Sequence, residues 1–380
     1  MNNSHRRKII KLFLLSIVVF ITAIVLIVET YAWFVGITTV NVNQFNVTIK
    51  AGEGLELSLD ASTWTNSSLT VSESAVTSAY DGSGNVWPAN LTPVSTNGQL
   101  TSSTARLNLY QKASLIPTAG GYKIVASKLS NGTTEQDGYI AFNLFIRNGT
   151  GSQYDNQLNF DGFESVYLTS NSKAEKLITG SANYGLANSV RVGFFEIAPT
   201  PVSSSATTIR NLGCTIAGSS LTLCASSANL SSWRTTTWNI WEPNHTTHTS
   251  ALASYIAQVC KTRGSGGAYT STACAALGTS QAVNTYAINQ AISSSHNVDI
   301  YDGYNGYTSS RLTQMTTYKT PASGDTGNSR ESLIKLPANM ITKVRVYIWL
   351  EGQDIDNYDV ATNDTGVKIQ FGLTKNRNGI

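Results

Sequence analysis

Lys343-Val344-Arg345-Val346-Tyr347-Ile348-Trp349-Leu350 is the stretch whose reading decides the fold. Val344, Val346, Ile348 and Leu350 share one parity; Lys343, Arg345, Tyr347 and Trp349 share the other. Successive side chains of a strand point to opposite faces, so this period of two predicts a β-strand with one apolar face. The same alternation recurs along the chain. Ile140, Phe142, Leu144 and Ile146 are spaced by Tyr139, Ala141 and Asn143. Val190, Val192 and Phe194 repeat it, Val367, Ile369, Phe371 and Leu373 alternate with Lys368 and Gln370, and Leu55, Leu57 and Leu59 make a short run. Further strands are expected near Leu107–Tyr110, Tyr122–Ala126 and Ser165–Leu168, with Ser/Asn/Gly-rich links between them. Strands apolar on one face only suit antiparallel sheets packed face to face, so the expected class is all-β, an antiparallel β-sandwich.

Outward from these strands the pattern changes. Between 199 and 330 the alternation fades, and Ala251–Val259 and Gln281–Ile292 carry helical spacing. The expected organisation is a leader over 1–32, a sandwich built from 33–198 and 331–380, and a large insertion or small second domain over 199–330 with short helices. Cys214, Cys224, Cys260 and Cys274 all fall in that insertion. Outside a cell an even count favours disulfides, in one of three pairings. The preferred one, Cys214–Cys224 with Cys260–Cys274, closes two short loops. Zinc is the rival reading, and no C-x-x-C pair supports it.

Charged residues make up 13% of the chain and the formal net charge is +3. His5, Arg6, Arg7, Lys8 and Lys11 precede an apolar run from Leu12 to Val28, and the remainder is close to neutral. That excludes a broad nucleic-acid-binding face. Basic residues hold their flank in the cytoplasm, so the chain beyond Val28 is expected outside the cell. The run reads as a signal peptide or as a retained anchor in the membrane. Thr30 and Ala32 place tolerable residues for a cut between Ala32 and Trp33. A pilin-type leader fits poorly, because Glu29 sits at the far end of the run. After the leader, Gly36–Lys50 reads as a long β segment. Val40 and Val42 share one parity, and Phe45, Val47 and Ile49 the other, reconciled by a bulge near Asn43 or Gln44. It is either the first strand of its own domain or a strand that pairs with another subunit.

Thr30-Tyr31-Ala32-Trp33-Phe34 resembles the T-[YW]-A-[YWF]-F junction of TasA/camelysin-type exported surface proteins. The resemblance extends to Phe45–Leu59, Ala141–Gly149 and Val367–Thr374, and has no counterpart over 199–330. It implies a jelly-roll domain at the cell surface, a dedicated signal peptidase cutting after Ala32, and self-association into matrix fibres. In such fibres the N-terminal strand, here carrying Val40, Val42, Phe45, Val47 and Ile49, completes the sheet of the next subunit. This chain is larger than that pattern, and the cysteine-bearing insertion is its departure.

Residues with chemistry are few. Glu242, His245 and His248 form E-x-x-H-x-x-H, but Pro243 and Asn244 point to a turn, and the order is not that of a zinc protease. Glu351, Asp354, Asp356 and Asp359 come after the Leu350 strand; oxygen ligands on a loop suit calcium, though the spacing is not that of an EF-hand. Tyr301, Tyr304 and Tyr307 are read as an aromatic patch for glycan or protein contact, or as packing. No serine lies in G-x-S-x-G and no phosphate-binding glycine loop occurs. The expectation is therefore not an enzyme and no cofactor apart from calcium. It is the subunit of a surface filament or biofilm matrix fibre; the alternative is a monomeric, membrane-anchored surface binding protein.

Overall fold

The computed structural model describes residues 11, 15–17, 19, 44–52, 54–99, 107–112, 114–118, 121–126, 128–129, 138–149, 164–177, 185–212, 216–217, 220–221, 239–245, 290–292, 296–301, 312–314, 317–324, 331–336, 339–354, 356–357 and 366–377. Two six-stranded sheets dominate. The strands that build them are β1 (Phe45–Ala51), β2 (Leu55–Ser58), β3 (Ser68–Val71), β4 (Tyr139–Asn148), β5 (Glu164–Leu168), β6 (Lys173–Lys176), β7 (Val190–Pro201), β8 (Asn239–Glu242), β9 (Tyr318–Lys319), β10 (Ile334–Leu336), β11 (Met340–Leu350) and β12 (Val367–Arg377). The first sheet runs β10-β5-β12-β1-β3, with β6 also lying along β12. The second runs β9-β8-β7-β11-β4-β2.

The alternation reads through to the core. Phe142, Leu144, Val192, Phe194, Val346 and Ile348 of the second sheet bury against Val47, Ile49, Val166, Ile369 and Phe371 of the first. Phe371 stands edge-on to Phe194 at 5.3 Å and to Trp241 at 5.9 Å. Burying a side chain of this size contributes about 1.5–3 kcal/mol, so this one shared layer dominates the stability of the fold.

Two expectations need correction. First, the sheets are mixed rather than antiparallel. β1 runs parallel to β12, from Phe45 opposite Val367 to Ala51 opposite Leu373, and β9 runs parallel to β8. A parallel pair needs a long connection, and nearly the whole chain lies between β1 and β12. Second, the strands of the second sheet are not apolar on one face only. On the outer face of β11, Ile341, Lys343, Arg345, Tyr347 and Trp349 are buried too. Lys343 Nζ donates to the Arg210 carbonyl at 2.6 Å, at the end of a short helix over Ala206–Arg210. A cation there meets carbonyls that the helix itself leaves unpaired. Arg345 donates to Asn85 Oδ1 at 2.8 Å, to Asn143 Oδ1 at 3.3 Å and to the Gly84 carbonyl. Tyr139, Tyr347 and Trp349 pack with Val94, Leu107 and Leu109. Segments that include Gly84–Asn85, Val94, Leu107–Leu109 and Arg210 therefore cover this face, and carbonyls and amides among them and on the sheet satisfy the charged heads.

Among the described residues, parts of 199–330 belong to the sandwich. The expected boundary at 198 falls inside β7, and β8 and β9 both enter the second sheet. Trp241, opposite Val192, is fully buried in the shared core. Gln290–Ile292, the end of an expected helix, is a strand paired with Leu312–Gln314. Ala251–Val259 lies outside the described residues. His296–Tyr301 pairs with Gly121–Ala126 in a separate three-stranded sheet.

β5 and β6 are one strand interrupted by a loop that crosses Gly372. Thr169 N donates to the Gly372 carbonyl at 2.9 Å, and Gly372 N donates to Ser172 Oγ at 3.1 Å. A Cβ on Gly372 would lie 2.5 Å from Thr169 Oγ1. We expect Gly372→Ala to destabilise by about 1–3 kcal/mol in urea unfolding, as overpacking does. Thr169→Gly in the same chain is expected to restore part of that loss.

Candidate functional site

β11 runs into a turn over 351–354, and three of the acids proposed for calcium, Glu351, Asp354 and Asp356, are described there and just after it. Glu351, Asp354 and Asp356 are all buried; Asp359 lies outside the described residues. Glu351 Oε2 accepts from Trp349 Nε1 at 3.2 Å and from Thr96 N at 3.4 Å, and its Oε1 accepts from Gln353 N at 3.1 Å. Asp354 Oδ2 accepts from Arg191 Nη2 at 2.5 Å, and Asp354 Oδ1 from Asp356 N at 2.9 Å. Asn357 Nδ2 closes the turn on the Glu351 carbonyl at 3.1 Å. The turn thus uses two of its carboxylates as acceptors for N–H groups, and one of those as the counter-ion of an arginine.

Arg191 is the residue that the sequence reading missed. It sits on β7 between Val190 and Val192 with the outward parity, opposite Trp349 of β11. Outward parity suggested solvent, yet Arg191 is fully buried. Besides Asp354, its Nη2 lies 3.5 Å from Glu242 Oε1, and its Nη1 donates to the Asn188 and Val190 carbonyls at 2.9 Å each. Burial pulls the guanidinium's pKa down, but the charges of Asp354, Glu242 and Glu351 outweigh it and the net shift is upward. The usable signal was an arginine placed between Val190 and Val192 of a core strand, with acidic residues elsewhere in the chain to pair it.

Glu242, from the E-x-x-H-x-x-H stretch, belongs to the same cluster. β8 carries it beside Arg191, and its Oε2 accepts from Lys319 Nζ and from Thr317 Oγ1, the latter at 2.6 Å. Asn244 Nδ2, two residues on, donates to the Ala174 carbonyl at 2.7 Å and to Asn188 Oδ1 at 3.0 Å. His245 is described and His248 is not. Over Glu242–His245 the chain is a strand end followed by a turn, as Pro243 and Asn244 lead one to expect. Among the described residues no three His, Cys, Asp or Glu side chains converge as metal ligands would.

The cluster joins pieces far apart in the chain: β7, β8, the 317–320 segment, the turn after β11, and the strap at 94–96. The Gly352 N–H donates to the Val94 carbonyl at 2.8 Å. Lys112 Nζ donates to the Asn357 carbonyl at 2.6 Å. Burial raises the Glu351 carboxyl to about 7 against the lowering effects of Ser95, Arg191, Gln353 and Trp349. By joining Arg191, Asp354, Glu242 and Lys319 from different segments, this arrangement ties those segments together.

Of the expected donor strand, Phe45, Val47 and Ile49 are buried in β1, between β12 and β3 of the chain's own first sheet. Val40 and Val42, the Ala32–Trp33 junction and all four cysteines lie outside the described residues, as do Tyr304 and Tyr307; Tyr301 ends a strand of the three-stranded sheet. In the leader, Lys11, Leu15, Ser16, Ile17 and Val19 are helical. Leu15 is 64%, Ile17 39% and Val19 61% exposed. Among the described residues no helix is long and apolar enough to cross a membrane. A scan against protein-family models, a search of curated proteins and a search of solved structures each find no match.

Proposed function

We propose that this chain is an exported structural protein of the cell surface, without enzymatic activity, that assembles into a filament by exchanging β1 between subunits. The observation that carries the reading is the setting of β1. Among the described residues it is the first strand, it buries Phe45, Val47 and Ile49, and it is bordered on both sides by main-chain pairing. A second copy of the same strand would find the same seven-residue register against Val367–Leu373 and the same partner in β3. Exchange therefore costs no contact and replaces an internal pair by an identical one between chains. Because the donor and the slot are different surfaces, the contact is head-to-tail and extends without closing.

Other observations fit the same reading. Exposed apolar residues on the leader helix call for a non-aqueous cover, which a membrane or export channel supplies. The low charge, the even cysteine count and the Thr30–Phe34 junction that resembles TasA/camelysin-type proteins suit the outside of the cell. A jelly-roll-like sandwich and paired cysteines belong to this proposal. The alternative is the same sandwich kept as a monomeric surface binding protein by an uncleaved leader.

The test is a disulfide trap. Thr48 of β1 is the register partner of Thr70 of β3. Thr48→Cys and Thr70→Cys are introduced together, and nitrogen-15-labelled and unlabelled chains are assembled as a mixture and oxidised. The exchange predicts peptides disulfide-linked through these two introduced cysteines in which one half is labelled and the other is not, in polymers whose subunits begin at Trp33. Polymers whose linked peptides are uniformly labelled or uniformly unlabelled would refute β1 exchange. An intact leader on a detergent-soluble monomer would favour the anchored module.

A further inference from the structure

Where β4 and β12 end, the apolar inner faces of the sandwich turn polar. Asn148 has the parity of Leu144 and Ile146 and is buried, flanked by Leu55 and Met340 as its register partners. Thr342 and Glu196 lie on the same inner face, with Thr342 Oγ1 donating to Glu196 Oε1 at 3.1 Å. From the opposite sheet, Lys375 enters this space with the parity of Phe371 and Leu373. Its Nζ donates to Asn148 Oδ1 at 2.7 Å. A carbonyl bond is ~1.23 Å long, so Nζ lies no more than ~3.9 Å from the carboxamide carbon. A primary amine and a side-chain amide are thus held together by two sheets whose main-chain ladders fix both strands.

We propose that Lys375 and Asn148 form an intramolecular isopeptide crosslink. Lys375 is half-buried, and hydroxide from the surrounding solution is the base that takes one proton from its ammonium group. The free amine attacks Asn148 Cγ, a new Nζ–Cγ bond forms, and the carbonyl π bond opens. As the carbonyl re-forms, the Cγ–Nδ2 bond breaks and Nδ2 leaves as ammonia with the second proton of the amine. The product is a secondary amide; no atom is oxidised or reduced and no co-reactant is consumed. The driving advantage is proximity, because a two-molecule reaction becomes an internal one with its partners already in contact. The usual competing reaction, attack on an asparagine side chain by the next residue's backbone nitrogen, is disfavoured here. Asn148 pairs on both sides within its sheet and its carbonyl accepts from Asn339 N at 3.0 Å, which holds the backbone extended.

Such a bond would lock β12, the strand that borders β1, to the second sheet. It forms in a monomer or a polymer alike, so its test is independent of strand exchange. The full chain is purified, held at neutral to mildly alkaline pH, reduced, digested and mapped by mass spectrometry. The crosslink predicts one branched peptide joining the segments that contain Lys375 and Asn148, lighter than their sum by one ammonia. Lys375→Arg and Asn148→Ala should each abolish it completely. Recovery of the two segments only as separate peptides from the folded wild-type chain would overturn the proposal, whether or not the variants fold. So would persistence of the branched species in Lys375→Arg.

Discussion

Arg191→Met is expected to lower the stability of the sandwich by about 3–5 kcal/mol near neutral pH, the cost of leaving buried carboxylates without their cation. Arg191 is fully buried and meets Asp354 at 2.5 Å and Glu242 at 3.5 Å. Methionine fills much of the same volume, so the loss is electrostatic rather than a cavity effect. Glu242 keeps Lys319 as a partner, whereas Asp354 loses its nearest positive charge. Adding Asp354→Asn to Arg191→Met should therefore recover a large part of the deficit, and a double-mutant cycle measures the coupling directly. Urea unfolding of the four proteins supplies the numbers. A deficit below about 1 kcal/mol, in the range of exposed ion pairs, would show that the cluster is solvated and does not tie β7 to the turn.

The parts of this fold that were legible in the sequence are those decided by one buried face. Val344, Ile348, Phe142 and Phe371 mark their strands because the core takes every second residue, and Phe45, Val47 and Ile49 mark β1 in the same way. What was illegible depends on groups that the sequence does not place nearby. Lys343 and Arg345 read as solvent-facing; they are buried because carbonyls of Arg210 and Gly84 and the amides of Asn85 and Asn143 come to meet them. Trp241 sits in a strand too short to show a period, so its place beside Phe371 was hidden. The acids after Leu350 read as an exposed loop because Arg191, which internalises Asp354, is 163 positions away. The parallel pairing of β1 with β12 is non-local in the same sense, since no turn specifies it.

Glu351 gives the second large effect, and its sign is opposite to that of ordinary acid unfolding. In the unfolded chain its carboxyl titrates at the ordinary value of 4.5, whereas burial raises it to about 7 in the fold. Between these values the folded chain holds a proton that the unfolded chain has released, so stability falls as pH rises. The contribution is fully present below about pH 4.5 and is lost as pH passes through about 7; a shift of this size corresponds to ~3 kcal/mol. Asp60 and Glu175 work the other way. Burial pushes the Asp60 carboxyl up, but hydrogen bonds from Thr63, Ser62 and Ser58 outweigh it, and Lys173 and Lys368 hold the Glu175 carboxyl below the ordinary range. Their contributions are lost on acidification, so the wild-type profile alone mixes both signs. Glu351→Gln separates them. Glutamine is neutral at every pH, and its amide group cannot accept from one of the N–H donors that Glu351 serves, a constant cost of about 1–3 kcal/mol. The difference in unfolding free energy between the two proteins should therefore drift by ~3 kcal/mol in favour of Glu351→Gln from about pH 4 to about pH 8. Parallel profiles across that range would mean that Glu351 stays ionised in the fold, with Arg191 and the N–H groups of Trp349, Thr96 and Gln353 offsetting its burial in full.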